Sequence, residues 1–183
     1  MIDVGLLVLR AALGLVVAAH GAQKLFGWWG GGGVAGTQRM FGSLGFRPPR
    51  LAAIFGGLAE FGGGLLVVLG LLTPLGCLAL IVMMLGAIVS VHMRKGWWNT
   101  GGGSEFPALV AAAAFGLTMT GPGRYSLDGA LDLSIVGWSW TGGVLAVSVV
   151  ATIVIVALVR TARTATTAEP PVTATPRASA ARP

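Results

Sequence analysis

Three polar side chains interrupt the end of an apolar stretch. In AAHGAQKLFGWWGGGG, residues 18–33, His20, Gln23 and Lys24 precede two tryptophans and four glycines. His20 and Lys24 stand four residues apart, so a helix puts them on one face with Gln23 beside it. An imidazole can relay a proton or hydrogen-bond a carbonyl, and an ammonium can hold developing negative charge. Two carboxylates extend the set. Glu60 lies midway along LAAIFGGLAEFGGGLLVVLGLL, and Glu105 opens a later alanine-rich stretch. A second histidine, His92, closes a third apolar run. A carboxyl group as deep as Glu60 must be protonated, paired or turned to a cavity. Its partner is either Arg10, near the start of the first run, or the His20–Lys24 group.

Several chemistries use such residues. They can form a structural polar network, with Lys24 and Arg10 snorkelling towards water. They can line a pocket for a quinone or similar head group, polar at the mouth and apolar behind. They can also line a transport path or an assembly surface. Two histidines and two glutamates invite a metal pair, but the E-x-x-H spacing of di-iron bundles is missing. A bis-histidine haem between His20 and His92 is the other metal alternative. Neither is favoured, so the cofactor stays unknown with quinone foremost. The glycine runs after Trp29 and Thr100 do not match GxxxxGK[ST] and follow no strand, which argues against a phosphate loop. Cys77 stands alone, so disulfide exchange within the chain is excluded. It reads as a small buried hydrophobe.

The elements that must position these residues belong in lipid. The chain is 183 residues long, 55% hydrophobic and 10% charged, against about 25% charged for a soluble domain. So few charges cannot cover a globular surface in water. Five apolar segments follow, at residues 4–25, 51–72, 74–93, 106–120 and 141–159. The fourth is short for a span, so Ser104 and Glu105 should lie in its first turn, where Pro107 is tolerated. The first has no clear cleavage site and is expected to be retained as a span. Residues 34–44 suggest a short interfacial helix. Residues 121–140 look amphipathic, with Trp138 and Trp140 at headgroup level, and Trp28, Trp29, Trp97 and Trp98 suggest an aromatic belt. The domains expected are a four-span unit over 1–132, an added helix over 133–163 and a disordered tail over 164–183.

Basic residues set the expected orientation. The net charge is +6. With five spans, Lys24, Arg39, Arg47, Arg50, Arg94, Lys95, Arg160, Arg163, Arg177 and Arg182 share one side, and only Arg124 lies on the other. This is a topology signal. It gives an N-terminus outside and a cytoplasmic tail, and it argues against nucleic-acid binding. The runs HGAQKLFGWWGGGG and HMRKGWWNTGGG echo one another, each followed by a span that carries a glutamate. That hints at two helix pairs related by an axis along the membrane normal.

Taken in order, HGAQKLFGWWGG, LAEFGGGLLVVLGLLTPLG, His92, the N-x-G-G-G-S-E run of residues 99–105 and GPGRYSLD resemble the DoxX family of small bacterial membrane proteins, over about residues 4–132. The resemblance implies an all-α, four-helix membrane core, so the fold class expected is a DoxX-like bundle plus a fifth C-terminal transmembrane helix. It also implies association with membrane oxidoreduction. The family name comes from a subunit associated with a terminal quinol oxidase, and DoxD-type relatives are linked with thiosulfate:quinone oxidoreduction. Some relatives are described with superoxide dismutase and a sulfurtransferase in a membrane complex. The family-like polar positions are His20, Gln23, Lys24, Glu60, His92, Asn99 and Glu105. The expected function is a small or accessory subunit of a quinone-linked system in the bacterial plasma membrane, among lipid, partner subunits and other copies of itself. A non-catalytic scaffold and a small-solute permease are the alternatives.

Overall fold

The computed structural model describes residues 1–167, with side chains described to residue 160. The elements are α1 (Ile2–Phe26), α2 (Gly33–Leu44), α3 (Pro49–Leu69), α4 (Thr73–Ala87), α5 (Glu105–Thr120), α6 (Leu127–Ala130) and α7 (Trp138–Thr167). Among the described residues there are no strands. The protein is an all-helical membrane bundle, as its composition requires. Four helices are long and apolar enough to cross a bilayer: α1, α3, α4 with its continuation to Lys95, and α7 as far as Arg160. The 16 residues of α5 reach about 24 Å, short of a hydrocarbon core of about 30 Å.

Local chemistry sets the ends. Gly27 and Gly70, both left-handed, close α1 and α3. Proline in the first turn opens α3 and α4, where its missing N–H leaves no helical bond unmade. The end of α4 loosens into a π-turn, Ile88–His92, and then a 3-10 turn, Met93–Lys95.

The α1–α3 pair is built on small residues. A Cβ added to Gly14, Gly21 or Gly64 would fall within 3.0 Å of backbone atoms of the facing helix. Gly14 faces Gly64, and Gly21 faces Gly57 and Phe61, so the two helices run antiparallel with their backbones nearly touching. Leu13, Val17, Val67, Cys77, Leu80, Ile81, Met84, Val110, Ala114, Leu117 and Val144 form one core shared by α1, α3, α4, α5 and α7. Cys77 is a free, buried thiol within it.

Two ends of the bundle differ in chemistry. At one end Arg124 N–H donates to Asp3 Oδ1, Asp128 reaches the α3–α4 turn, and Thr141 Oγ1 donates to Thr118 O, which sets the start of α7 beside the end of α5. The other end gathers the α1 terminus, α2, the start of α3, the α4 terminus and the start of α5. The interfacial helix expected over 34–44 is α2, which buries Thr37 and Phe41. Trp138 and Trp140 belong to the first turn of α7 rather than to a preceding loop. The same helix continues to Thr167, beyond the expected end at 163. The rest of the tail, 168–183, lies outside the described residues.

Candidate functional site

The buried face of α1 carries Arg10, Leu13, Gly14, Val17, Ala18, Gly21 and Ala22. Lys24 lies two residues beyond this stripe and meets α3. Its Nζ donates to Glu60 Oε1 at 2.5 Å, with the Lys24 side chain 24% and the Glu60 side chain 3% exposed. The close helix approach at Gly21 and Gly57 brings the pair together. Glu60 Oε2 is buried and makes no hydrogen bond among the described residues. Helix α2 covers the pair's end of α1, with Thr37 Oγ1 donating to Lys24 O at 3.2 Å and to Gly33 O at 2.8 Å. The glycine run turns back on α1, where Gly31 sits so close to Gln23 that a Cβ would collide with its backbone.

Arg10 does not partner Glu60. The antiparallel register puts Glu60 level with the C-terminal part of α1. Arg10 lies 14 residues below Lys24, about 21 Å along the helix, and meets the far end of α3. It is wholly buried, with Nη1 donating to Val68 O and Nη2 to Tyr125 O. Asp128 lies within Coulombic reach. The Asp128 carboxylate accepts from Leu72 N–H at 2.7 Å, Thr73 N–H at 2.9 Å and Thr73 Oγ1–H at 2.6 Å. It thereby caps α4 from a distant segment, because Leu72 at the cap position has no side-chain acceptor. Sequence reasoning passed over Asp128. The signal was present in a Thr-Pro helix start without a local cap, facing a loop with an acid.

The remaining polar residues organise the α4–α5 connection. His92 Nδ1 lies 2.7 Å from Gly102 O. A carbonyl only accepts, so Nδ1 is the donor in this bond. Glu105 Oε2 accepts from Asn99 N–H at 2.9 Å, and Glu105 N–H donates to Trp97 O at 2.9 Å. The Asn99 contribution is thus its backbone. His20 is exposed on the side where α1 meets α5, its ring 5.7 Å from that of Phe106 and tilted by 60°. Neither His20 nor the half-buried Gln23 has a side-chain hydrogen bond among the described residues. The structure therefore divides the seven expected residues. Lys24 and Glu60 pair between α1 and α3, while His92, Asn99 and Glu105 brace one loop. His20 bridges from α1 to α5 through Phe106. Among the described residues no three His, Cys, Asp or Glu side chains converge as metal ligands.

A profile of the DoxX family matches residues 5–93. "Putative oxidoreductase CatD" of Bacillus subtilis is 30% identical over 126 residues, which cover 69% of this chain and 86% of that protein. "Uncharacterized membrane protein Rv3486" of Mycobacterium tuberculosis is 30% identical over 130 residues, covering 66% of this chain and 77% of that protein. No solved structure matches the chain at a significant level.

Proposed function

Since the chain belongs to the DoxX family, we propose that it is a small subunit of a quinone-linked membrane oxidoreductase system. In this reading it receives a quinone head group at the meeting of α1 and α5. The observation that carries the proposal is His20, an exposed imidazole with no hydrogen bond among the described residues, set against the Phe106 ring inside an apolar helix. The residues fit such a ligand. A quinone carbonyl takes a hydrogen bond from a ring N–H or an amide, and its flat ring packs against an aromatic wall. His20 would donate or relay the proton, Gln23 would offer its amide, and Phe106 would supply the wall. Lys24 is engaged by Glu60, so its role is to hold α1 on α3 and fix the direction in which His20 points. The named oxidoreductase relative supports the class of reaction, and the bound quinone would supply the redox chemistry.

The basic end would face the cytoplasm of a bacterial plasma membrane and the N-terminus the outside, by the excess of Lys and Arg. The test is quinone binding by the purified full-length protein, read by lipid extraction and by quenching of tryptophan fluorescence with a short-chain quinone. His20→Phe keeps the aromatic surface and removes the hydrogen bond. It should weaken binding about five- to tenfold. Wild-type protein that neither retains quinone nor responds to it, or a His20→Phe variant that binds equally well, overturns the proposal.

A further inference from the structure

The basic end of the bundle carries charge that the protein itself does not neutralise. Its loops, the short helix α2 and the first turn of α3 hold Arg39, Arg47, Arg50, Arg94 and Lys95. The acids at that end are already engaged: Glu60 with Lys24 and Glu105 with the Asn99 N–H. Arg47 donates to Gly42 O and Phe46 O and so braces its own turn. Arg39, Arg50, Arg94 and Lys95 are exposed, and no ion pair among the described residues includes them. The opposite end is different, with Asp3, Asp128 and Asp132 beside Arg10 and Arg124.

The same end presents four indoles. Trp28, Trp29, Trp97 and Trp98 are each more than half exposed. Trp29 adopts φ 48°, a left-handed backbone that a bulky residue rarely takes. Phe61, Phe26, Trp28 and Trp29 touch in series through edge-to-face and tilted contacts with centroids 5.1–5.5 Å apart, so the chain of rings anchors the turn on α3. On the other GWW loop, Ser104 N–H to Gly96 O, Glu105 N–H to Trp97 O and Gly103 N–H to Trp98 O close the turn. Both loops are held by the protein while their indoles point outward.

We infer that this end is a recognition platform for anionic phospholipid head groups, with Arg39, Arg50, Arg94 and Lys95 contacting phosphates and the four tryptophans fixing depth. Indoles sit at the boundary between acyl chains and head groups. Guanidinium groups held at that depth meet phosphate oxygens in a bidentate geometry. The amphipathic α2 extends the platform, burying Thr37 and Phe41 and presenting Arg39 outward.

The experiment uses the full chain reconstituted in phosphatidylcholine bilayers, with spin-labelled phosphatidylglycerol and phosphatidylcholine compared by electron spin resonance. Wild-type protein should prefer the anionic lipid, and rising salt should erode the preference. Each cation removed should lower the relative association constant by up to about fivefold. The R39Q/R50Q/R94Q/K95Q variant should approach the value for phosphatidylcholine, while Arg124→Gln at the other end should behave as wild type. All five sites are exposed, and thermal unfolding confirms that each variant is folded. No lipid preference in the wild type overturns the inference. So does a preference that survives the quadruple change, which would assign it to the tail, or one that Arg124→Gln reduces equally, which would assign it to net charge.

Discussion

Lys24 and Glu60 are one ion pair, yet the two ends are not equivalent, and removing each should cost a different amount. The Glu60 side chain is 3% exposed and its Oε2 has no partner among the described residues. Lys24→Met therefore leaves a buried carboxylate with neither oxygen bonded, a loss of about 3–5 kcal/mol. Glu60→Gln leaves an ammonium that is 24% exposed and two residues from the end of α1. Lys24 can then snorkel towards the head groups, so the cost is the bond itself less that relief, about 1–2 kcal/mol. The double variant should resemble Glu60→Gln alone, which gives a coupling equal to the Lys24→Met loss, about 3–5 kcal/mol. Thermal unfolding of the full-length protein in detergent, followed by tryptophan fluorescence, reads these differences. At about 2–4 °C per kcal/mol for a chain of this size, Lys24→Met should lower Tm by roughly 6–20 °C. Equal and additive losses from the two single changes would refute the asymmetry and with it the assignment of Lys24 as the solvated partner.

Asp128→Asn replaces an acceptor by a donor facing Leu72 N–H and Thr73 and removes the charge near buried Arg10. It should cost about 3 kcal/mol in the same unfolding assay. The exposed Asp132→Asn should stay within about 0.5 kcal/mol of wild type, and matching losses would show that the cap does not hold the α3–α4 turn. Gly21→Ala should destabilise or separate α1 from α3, since its Cβ meets the Phe61 backbone, whereas Gly62→Ala has open space and should be neutral or slightly stabilising. A disulfide-free crosslinking or unfolding comparison in which the two glycine variants behave alike would remove the close-packing account of this pair.

The helices were legible because lipid makes a simple demand: every backbone group must bond within its own segment, so apolar length alone marks α1, α3, α4 and α7. The same period showed that His20 and Lys24 could share a face. It did not show that the helices meet on glycine, and this decides the register. Once Gly14 faces Gly64 and Gly21 faces Gly57, Glu60 falls level with Lys24 and out of reach of Arg10. The expectation that four helices gather all seven polar residues underrated the loops. The backbone near His92 and Glu105 has its own unmade bonds, and Gly102 O and the Asn99 N–H claim those side chains first. Asp128 escaped notice for the complementary reason. Its partners, two backbone N–H groups and the Thr73 hydroxyl, belong to a turn more than 50 residues away, and no local spacing links that turn to Asp128.

Satisfaction of polar groups separates architecture from recognition in this bundle. Lys24, Glu60, Asp128, His92 and Glu105 each have a partner that ties two segments together, so their placement is explained without any ligand. His20 has none. It sits six residues before the end of α1, about 9 Å along the helix, and faces outward beside Phe106. An imidazole at that depth gains nothing from lipid tails, and the helix would be better served there by leucine. In the proposed function a partner from outside the chain would resolve the conflict, whether a quinone carbonyl or a polar group of a neighbouring subunit. The ligand then meets the flank where α1 approaches α5, and the ion pair between α1 and α3 is the strut that would hold that flank in place.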